Sequence, residues 1–202
     1  MNKTILFAAI LFLMLGANAQ KIKQTDGKLS FLAGQKELSV EFVYANDLKV
    51  GKYTEHVYIE KKMAKANDKE PGSGEKWLES WKNDRPNYYQ PKFIELFNEV
   101  MKKNGVSLSE NNKSATYLLI VETIFIEPGY NVGVSRKNAY INLIVSFVDN
   151  NNHDNVLATF TIDKSPGKMA LGSDFDTGMR IGEAYAKAAK SFASYLLKKK
   201  AF

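Results

Sequence analysis

The 202-residue chain contains no cysteine. That absence excludes a thiolate nucleophile, a disulfide framework, cysteine-ligated zinc and an iron–sulfur cluster. Histidine is almost absent too: His56 and His153 are the two in the chain, too few for a multi-histidine metal centre. There is no G-x-S-x-G and no H-E-x-x-H. Pro71-Gly72-Ser73-Gly74 is glycine-rich ahead of a helical pattern, but it lacks the Walker lysine and dinucleotide spacing, so it reads as a loop. No apolar run after residue 19 is long enough to span a bilayer. The reading is of a chain with no cofactor, no metal, no catalytic residue that can be named and no membrane span.

What is present begins with an address. Lys3 supplies a positive start, Ile5 to Leu15 is continuously apolar, and Ala17-Asn18-Ala19 forms a small-residue cleavage pattern before Gln20. These are the three parts of a secretory signal. The apolar run of eleven residues is short of the roughly 20 of a membrane anchor. Cleavage after Ala19 predicts a periplasmic or secreted protein, with no lipidated cysteine at the cleavage point. The full chain has 28 basic and 22 acidic residues, net +6; without residues 1–19, which hold Lys3 alone of the charged residues, the net charge is +5, spread over both halves. Interspersed signs and export argue against nucleic acid as a partner; weak attraction to anionic envelope surfaces is the milder reading.

The rest divides into an arm and one domain. Residues 20–36 are polar and lysine- and glycine-containing, and predict a flexible N-terminal arm; residues 37–202 predict a single domain. Val40, Phe42 and Tyr44 alternate as in a strand, and Tyr53 to Ile59 reads as a second strand with His56 on its polar face. Residues 63–76 have loop composition. Trp77 and Trp81 lie one helical turn apart. Pro86 predicts a break, and a second helix starts near Gln90, with Asn104-Gly105 as its stop. Thr116 to Ile126 is almost continuously apolar, which predicts a central strand covered on both faces. Ile141, Leu143, Val145 and Phe147 alternate with polar positions. Val156, Ala158, Phe160 and Ile162 repeat the pattern after a turn at 149–154, giving an antiparallel meander. A long helix closes the chain from about Asp176 to Lys199. Its stripe is Ile181, Ala184, Tyr185, Ala188, Phe192, Tyr195 and Leu196. Beside that stripe, Gly182, Ala186, Ala189 and Ala193 permit close approach to the sheet or to a second copy. The order β-β-α-β-β-β-α predicts an α+β two-layer sandwich: a mostly antiparallel sheet with helices on one face.

Several patterns carry two readings. Asp176-Thr177-Gly178 matches the core of aspartic proteases, which need two such aspartates. Ser173 with Asp176 also resembles a helix capping box. Asp149-x-Asn151-x-His153 resembles a calcium loop, but Asp154 replaces the required glycine and Phe160 the terminal glutamate. Trp77, Trp81, Arg85, Tyr88 and Tyr89 form an aromatic and basic cluster. Such a cluster either anchors a protein partner or pins short helices onto the sheet. The loops 127–138 and 164–175 should emerge at one end, beside the start of the last helix. They gather Tyr130, Asn131, Arg136, Lys137, Lys164, Lys168 and Arg180 as a site for a small anionic or glycan ligand.

The apolar strand Ala115 to Ile126, the hairpin ending Phe147-Val148-Asp149, and Gly172 through Leu197 with Gly178, Gly182 and an alanine-rich helix carry a resemblance. Over roughly 38–199 the layout resembles exported Gram-negative envelope proteins of the curli-secretion-lipoprotein and TolB N-terminal type. That resemblance implies a small α/β domain for envelope assembly or interaction, without catalysis. This chain departs from many of them in lacking the lipobox cysteine. No functional residue transfers. The expected role is a non-catalytic binding domain for an envelope protein, with a periplasmic ligand binder as the alternative and an unrecognised hydrolase third. A homo-oligomer is compatible with each.

Overall fold

The structure is a computed structural model that describes residues 20–132, 134–167 and 176–202. The predicted signal segment 1–19, Lys168 and Ser173 lie outside the described residues. Strands β1 (Lys21–Gly27), β2 (Glu37–Val50) and β3 (Tyr53–Thr54) come first. Helices α1 (Glu55–Asn67), α2 (Ser73–Asp84) and α3 (Gln90–Met101) follow, then strands β4 (Ser107–Glu110) and β5 (Tyr117–Glu127). Two-residue strands β6 (Tyr130–Asn131) and β7 (Arg136–Lys137) make a separate ribbon. Strands β8 (Ala139–Asp149) and β9 (Asn152–Gly167) and helix α4 (Thr177–Lys198) complete the chain. The fold is α+β, with a seven-stranded sheet in the order β1-β9-β8-β5-β2-β3 and β4 also paired to β2.

The long alternating segments land where their periodicity puts them. On β8, Ile141, Leu143, Val145 and Phe147 are fully buried, and Thr123, Val121 and Leu119 of β5 lie opposite the last three of them in register. Phe160 and Phe192 meet edge-on with ring centroids 5.1 Å apart, and Phe147 packs against both, so sheet and α4 share one dry layer. Burying an aromatic side chain of this kind contributes about 1.5–3 kcal/mol.

Five local expectations are corrected. Residues 21–27 of the predicted arm pair antiparallel with β9, and Leu32 in the following 3-10 turn is fully buried. Ile22 and Gln24 alternate inward between lysines, and tertiary pairing overrides the polar composition. Tyr53 to Ile59 is a strand only at Tyr53–Thr54; Glu55 onward is helix. His56 therefore lies on α1, exposed and 3.2 Å from Glu60 one turn on. The predicted loop 63–76 is helical at both ends, because α1 runs to Asn67 and α2 starts at Ser73. Pro86 does not break the chain into two separate helices. Residues Arg85–Tyr89 form a π-turn in which Gln90 N–H donates to Arg85 O, and the wider turn takes up the proline between α2 and α3. Finally, β5 is central but not covered on both faces, since Ile120 and Ile124 are half-exposed. The sheet is also mixed, because β2 runs parallel to both β4 and β5.

The small residues of α4 serve a helix neighbour. A Cβ on Gly182 would press on Tyr88 at 3.3 Å, and Ala186 shares a groove with Leu96 of α3. Asp176 is the N-cap of α4 and accepts from Met179 N–H at 2.8 Å. That is the capping reading of its motif.

Candidate functional site

The aromatic–basic cluster is a seam between α1, α2, the π-turn and the sheet. Glu55, at the start of α1, accepts from Trp81 Nε1 at 2.7 Å and from the Arg85 guanidinium at 2.6 and 2.8 Å. The guanidinium of Arg85 lies over the Tyr44 ring, 3.7 Å from its centroid. Trp77 and Trp81 stack, and Tyr58 meets both rings. Tyr89 is fully buried and stacks on Tyr185 of α4, whose hydroxyl hydrogen-bonds Thr123. Tyr88 alone of the predicted set points out, at 39% exposure. Helical spacing places Trp81, Arg85 and Tyr89 on one inward stripe, so these three pin the helices to the sheet. Removing Glu55 would strand two donors and an interior cation, a loss of about 1–3 kcal/mol.

Around the Glu55–Arg85 pair, the seam favours the neutral forms of its tyrosines and raises the carboxyl of Asp84. Burial pushes the Tyr44 hydroxyl up to about 12, against the opposing field of Arg85. Burial also pushes Tyr89 and Tyr185 well up, with neighbouring acidic groups adding to it. Burial, with a smaller contribution from the Asp176 charge, raises the Asp84 carboxyl to about 6. A methyl group on Gly178 would displace the Asp84 carboxylate, so glycine lets that carboxylate lie against the first turn of α4. The tyrosine hydroxyls face packed protein, whereas Asp84 is partly exposed.

The second predicted set is brought to one end of the sheet but is largely occupied there. Tyr130 pairs with Lys137 and Asn131 with Arg136 in the β6–β7 ribbon. Lys137 Nζ binds Glu127 at 2.6 Å, and Arg136 reaches Asn138 at 3.3 Å. Arg180 is buried at 3% exposure and donates to Pro128 O and Thr177 Oγ1, which ties α4 to the turn before the ribbon. Lys164 has a left-handed backbone (φ 51°), and its N–H bonds Asn142 Oδ1. The described parts of the two loops meet at one end, where Gly167 pairs with Ala139; residues 168–175, Lys168 among them, lie outside the described residues. The expectation of an open cationic site does not extend to Lys137 and Arg180, whose charges are already engaged.

One cleft carries no sequence motif. It has a volume of about 520 Å³ and lies where β4 ends beside β2, under the β8–β9 turn. Val40, Phe42 and Leu118 are its apolar lining; Glu41, Glu110, Asn111, Asn150, Asn151 and His153 are among its polar groups. Asn150 braces it by donating to Ala115 O at 2.8 Å and Asn112 O at 3.1 Å. Hydrogen bonds from Ser114 and Asn112 hold the Glu37 carboxylate below its usual range at the cleft's border. Four stretches of chain converge here, 39–42, Gln90, 110–118 and 150–153, so no single local spacing announces it.

The other feature without a motif is the helix-free face of the sheet. Val43, Glu122, Ile144 and Thr161 stand in register across four strands, and Glu41, Ile120, Ser146 and Thr159 form the next row. All are half-exposed except Glu41, which is exposed.

No family model matches the chain, and no curated protein matches it. Among solved structures it is similar to PelC from Paraburkholderia phytofirmans, solved as a dodecamer in two crystal forms. The identities are 14% and 12% and the TM-scores 0.38 and 0.40, with 85% and 84% of this chain and 98% and 96% of that chain covered. It is also similar to protein XCC0632 from Xanthomonas campestris, a DUF330 protein. There the identity is 12% and the TM-score 0.40, covering 82% of this chain and 86% of that one. These matches do not show the resemblance to the curli-secretion-lipoprotein and TolB type.

Proposed function

We propose that this chain is an exported, non-catalytic domain that binds a protein partner in the cell envelope through the helix-free face of its sheet. The observation that carries the reading is the pair of rows across that face. Val43, Ile120 and Ile144 present branched apolar surface among short hydroxyl side chains and the one central carboxylate of Glu122, with no described element packed over them. Flat surfaces of this composition, with few charges at the centre, suit protein–protein contact. The polar groups of the interior support a structural seam more than a reaction centre. Export rests on the signal pattern of residues 1–19, and no described helix is long and apolar enough to cross a membrane.

A second reading, a periplasmic binder of a glycan, draws on the amide-lined cleft at the end of β4. Amides and carboxylates over an apolar floor suit a hydroxyl-rich ligand.

The test is a photo-crosslinking residue placed in turn at Ile120 and Ile144, and at Lys187 on α4 as a control, in cells carrying the full chain. The expected result is one reproducible envelope-protein adduct from the two sheet positions and none from the control. No adduct from either sheet position, or an adduct from the control alone, would overturn the reading.

A further inference from the structure

We propose that the groove between α1 and α2 is a binding site for a phosphoryl group, with Lys62, Lys65 and Lys69 as its cationic wall and Trp77 as its apolar one. The groove has a volume of about 420 Å³. Its α1 side carries Lys62, Lys65 and Ala66 at the spacing that aligns side chains on one helical face, and Lys69 follows in the turn just past the helix end, where its N–H bonds Ala66 O. A cationic stripe facing a second helix is ordinarily met by carboxylates. Here α2 presents Ser73 and Trp77 at those positions, and Glu70 of the connection is the carboxylate among the lining residues. Lys62, Lys65 and Lys69 make no ion pair among the described residues.

The cations are also set against one another. Partial burial lowers the Lys62 ammonium below its usual range, and the charges of Lys65 and Arg180 lower it further. An anion placed in the groove relieves that repulsion. Lys62 is held in place by lying over the Tyr58 ring, 5.4 Å from the centroid. The opposite wall is fixed as well: Trp77 is stacked on Trp81 at 5.7 Å, and Glu55 anchors Trp81. Trp77 Nε1 has no acceptor among the described residues and stays free to donate. Three point-charge donors along a stripe suit an anion with several oxygens and more than one negative charge, which describes a phosphoryl group better than a lone carboxylate. The indole face suits the organic part that carries it. The site is separate from the sheet face, so its failure would leave the partner reading standing.

The test follows tryptophan fluorescence of the full chain during titration with glycerol 3-phosphate. In parallel it follows co-sedimentation with vesicles of phosphatidylcholine, alone or with one-quarter phosphatidylglycerol. Saturable fluorescence change supports a soluble phosphoryl ligand; retention on the phosphatidylglycerol vesicles alone supports a lipid headgroup. In either arm the K62Q/K65Q double variant should bind at least about tenfold more weakly, the loss of one or more charge-assisted contacts. A K187Q/K190Q control on α4, with the same change in net charge, should bind as the unsubstituted chain does. No binding in both arms would overturn the site, as would equal binding by K62Q/K65Q or an equal loss in the control. Unchanged circular dichroism of both variants separates lost binding from lost folding.

Discussion

The two faces of the same four strands differ sharply. Toward α4, Leu143, Val145, Phe147, Phe160 and Ile162 are fully buried. Toward the other side, Ile144, Ser146, Thr159 and Thr161 alternate with them and remain half-exposed. Strand geometry sends successive side chains to opposite faces, so one sequence writes both surfaces at once. The covered face is nearly all aliphatic and aromatic. The open one mixes branched apolar, hydroxyl and carboxylate side chains, a composition that tolerates water and also tolerates being covered. The difference teaches that the packing which holds the fold lies on one side of the sheet, while the other side is left half-exposed.

Three measurements bear on that contrast beyond the two tests above. The largest effect is expected for Phe160→Ala. It opens a cavity among Phe147, Phe192 and Tyr195 and should cost about 3–5 kcal/mol in a denaturant melt. A loss no greater than that of an exposed substitution would remove the distinction between the faces.

An intermediate effect concerns Asp84, on the covered side. Its carboxyl titrates near 6 in the folded chain, above its ordinary value of 3.8. The folded state therefore holds the proton more tightly, and stability from this group falls as pH rises from about 4 to 6. Asp84→Asn should raise stability at pH 7 by about 1 kcal/mol, a figure reduced for the partial exposure of the group, with little change at pH 4. Melts across pH 4 to 7.5 check this. Stabilisation that is the same at both ends of the range would show that the carboxyl is not perturbed.

The smallest effect is expected on the open face. Ile144→Thr keeps the β-branch and removes apolar surface that is already half-hydrated, so it should shift stability by less than about 1 kcal/mol. The same substitution should weaken the envelope adduct formed from Ile120.

Much of the fold was legible because it rests on strong periodicities. The alternation through β8 and β9 and the stripe on α4 announced the main layer, and the proline and glycine positions bracketed α3. The misreadings share a cause. Lys21 to Gly27 is too polar to declare a strand, and becomes one only because β9 offers an open edge. Tyr53 to Ile59 fits either period over so short a window, and the lysine-rich helix that follows decided it. Pro86 signals a break in any isolated segment; the packed Tyr89 against Tyr185 holds the π-turn in place of one.

The candidate sites follow the same division. Trp81, Arg85 and Tyr89 were visible as a cluster, but their inward aim depended on Glu55, thirty positions before Arg85. Arg180 was visible as a cation near a helix start, and Pro128 O decided that it would be structural. The cleft beside β4 and the groove of Lys62 and Trp77 have no local signature.

By itself the sequence determined which residues alternate, which stripe of the last helix is apolar, and which chemistries are absent for want of cysteine and histidine. Those are properties of neighbouring residues and of composition. Only the tertiary structure decided which charges are paired, which sheet face stays open, and where cations are left facing an indole. Each of these depends on what lies opposite a side chain, and residues far apart in the chain meet only once it has folded.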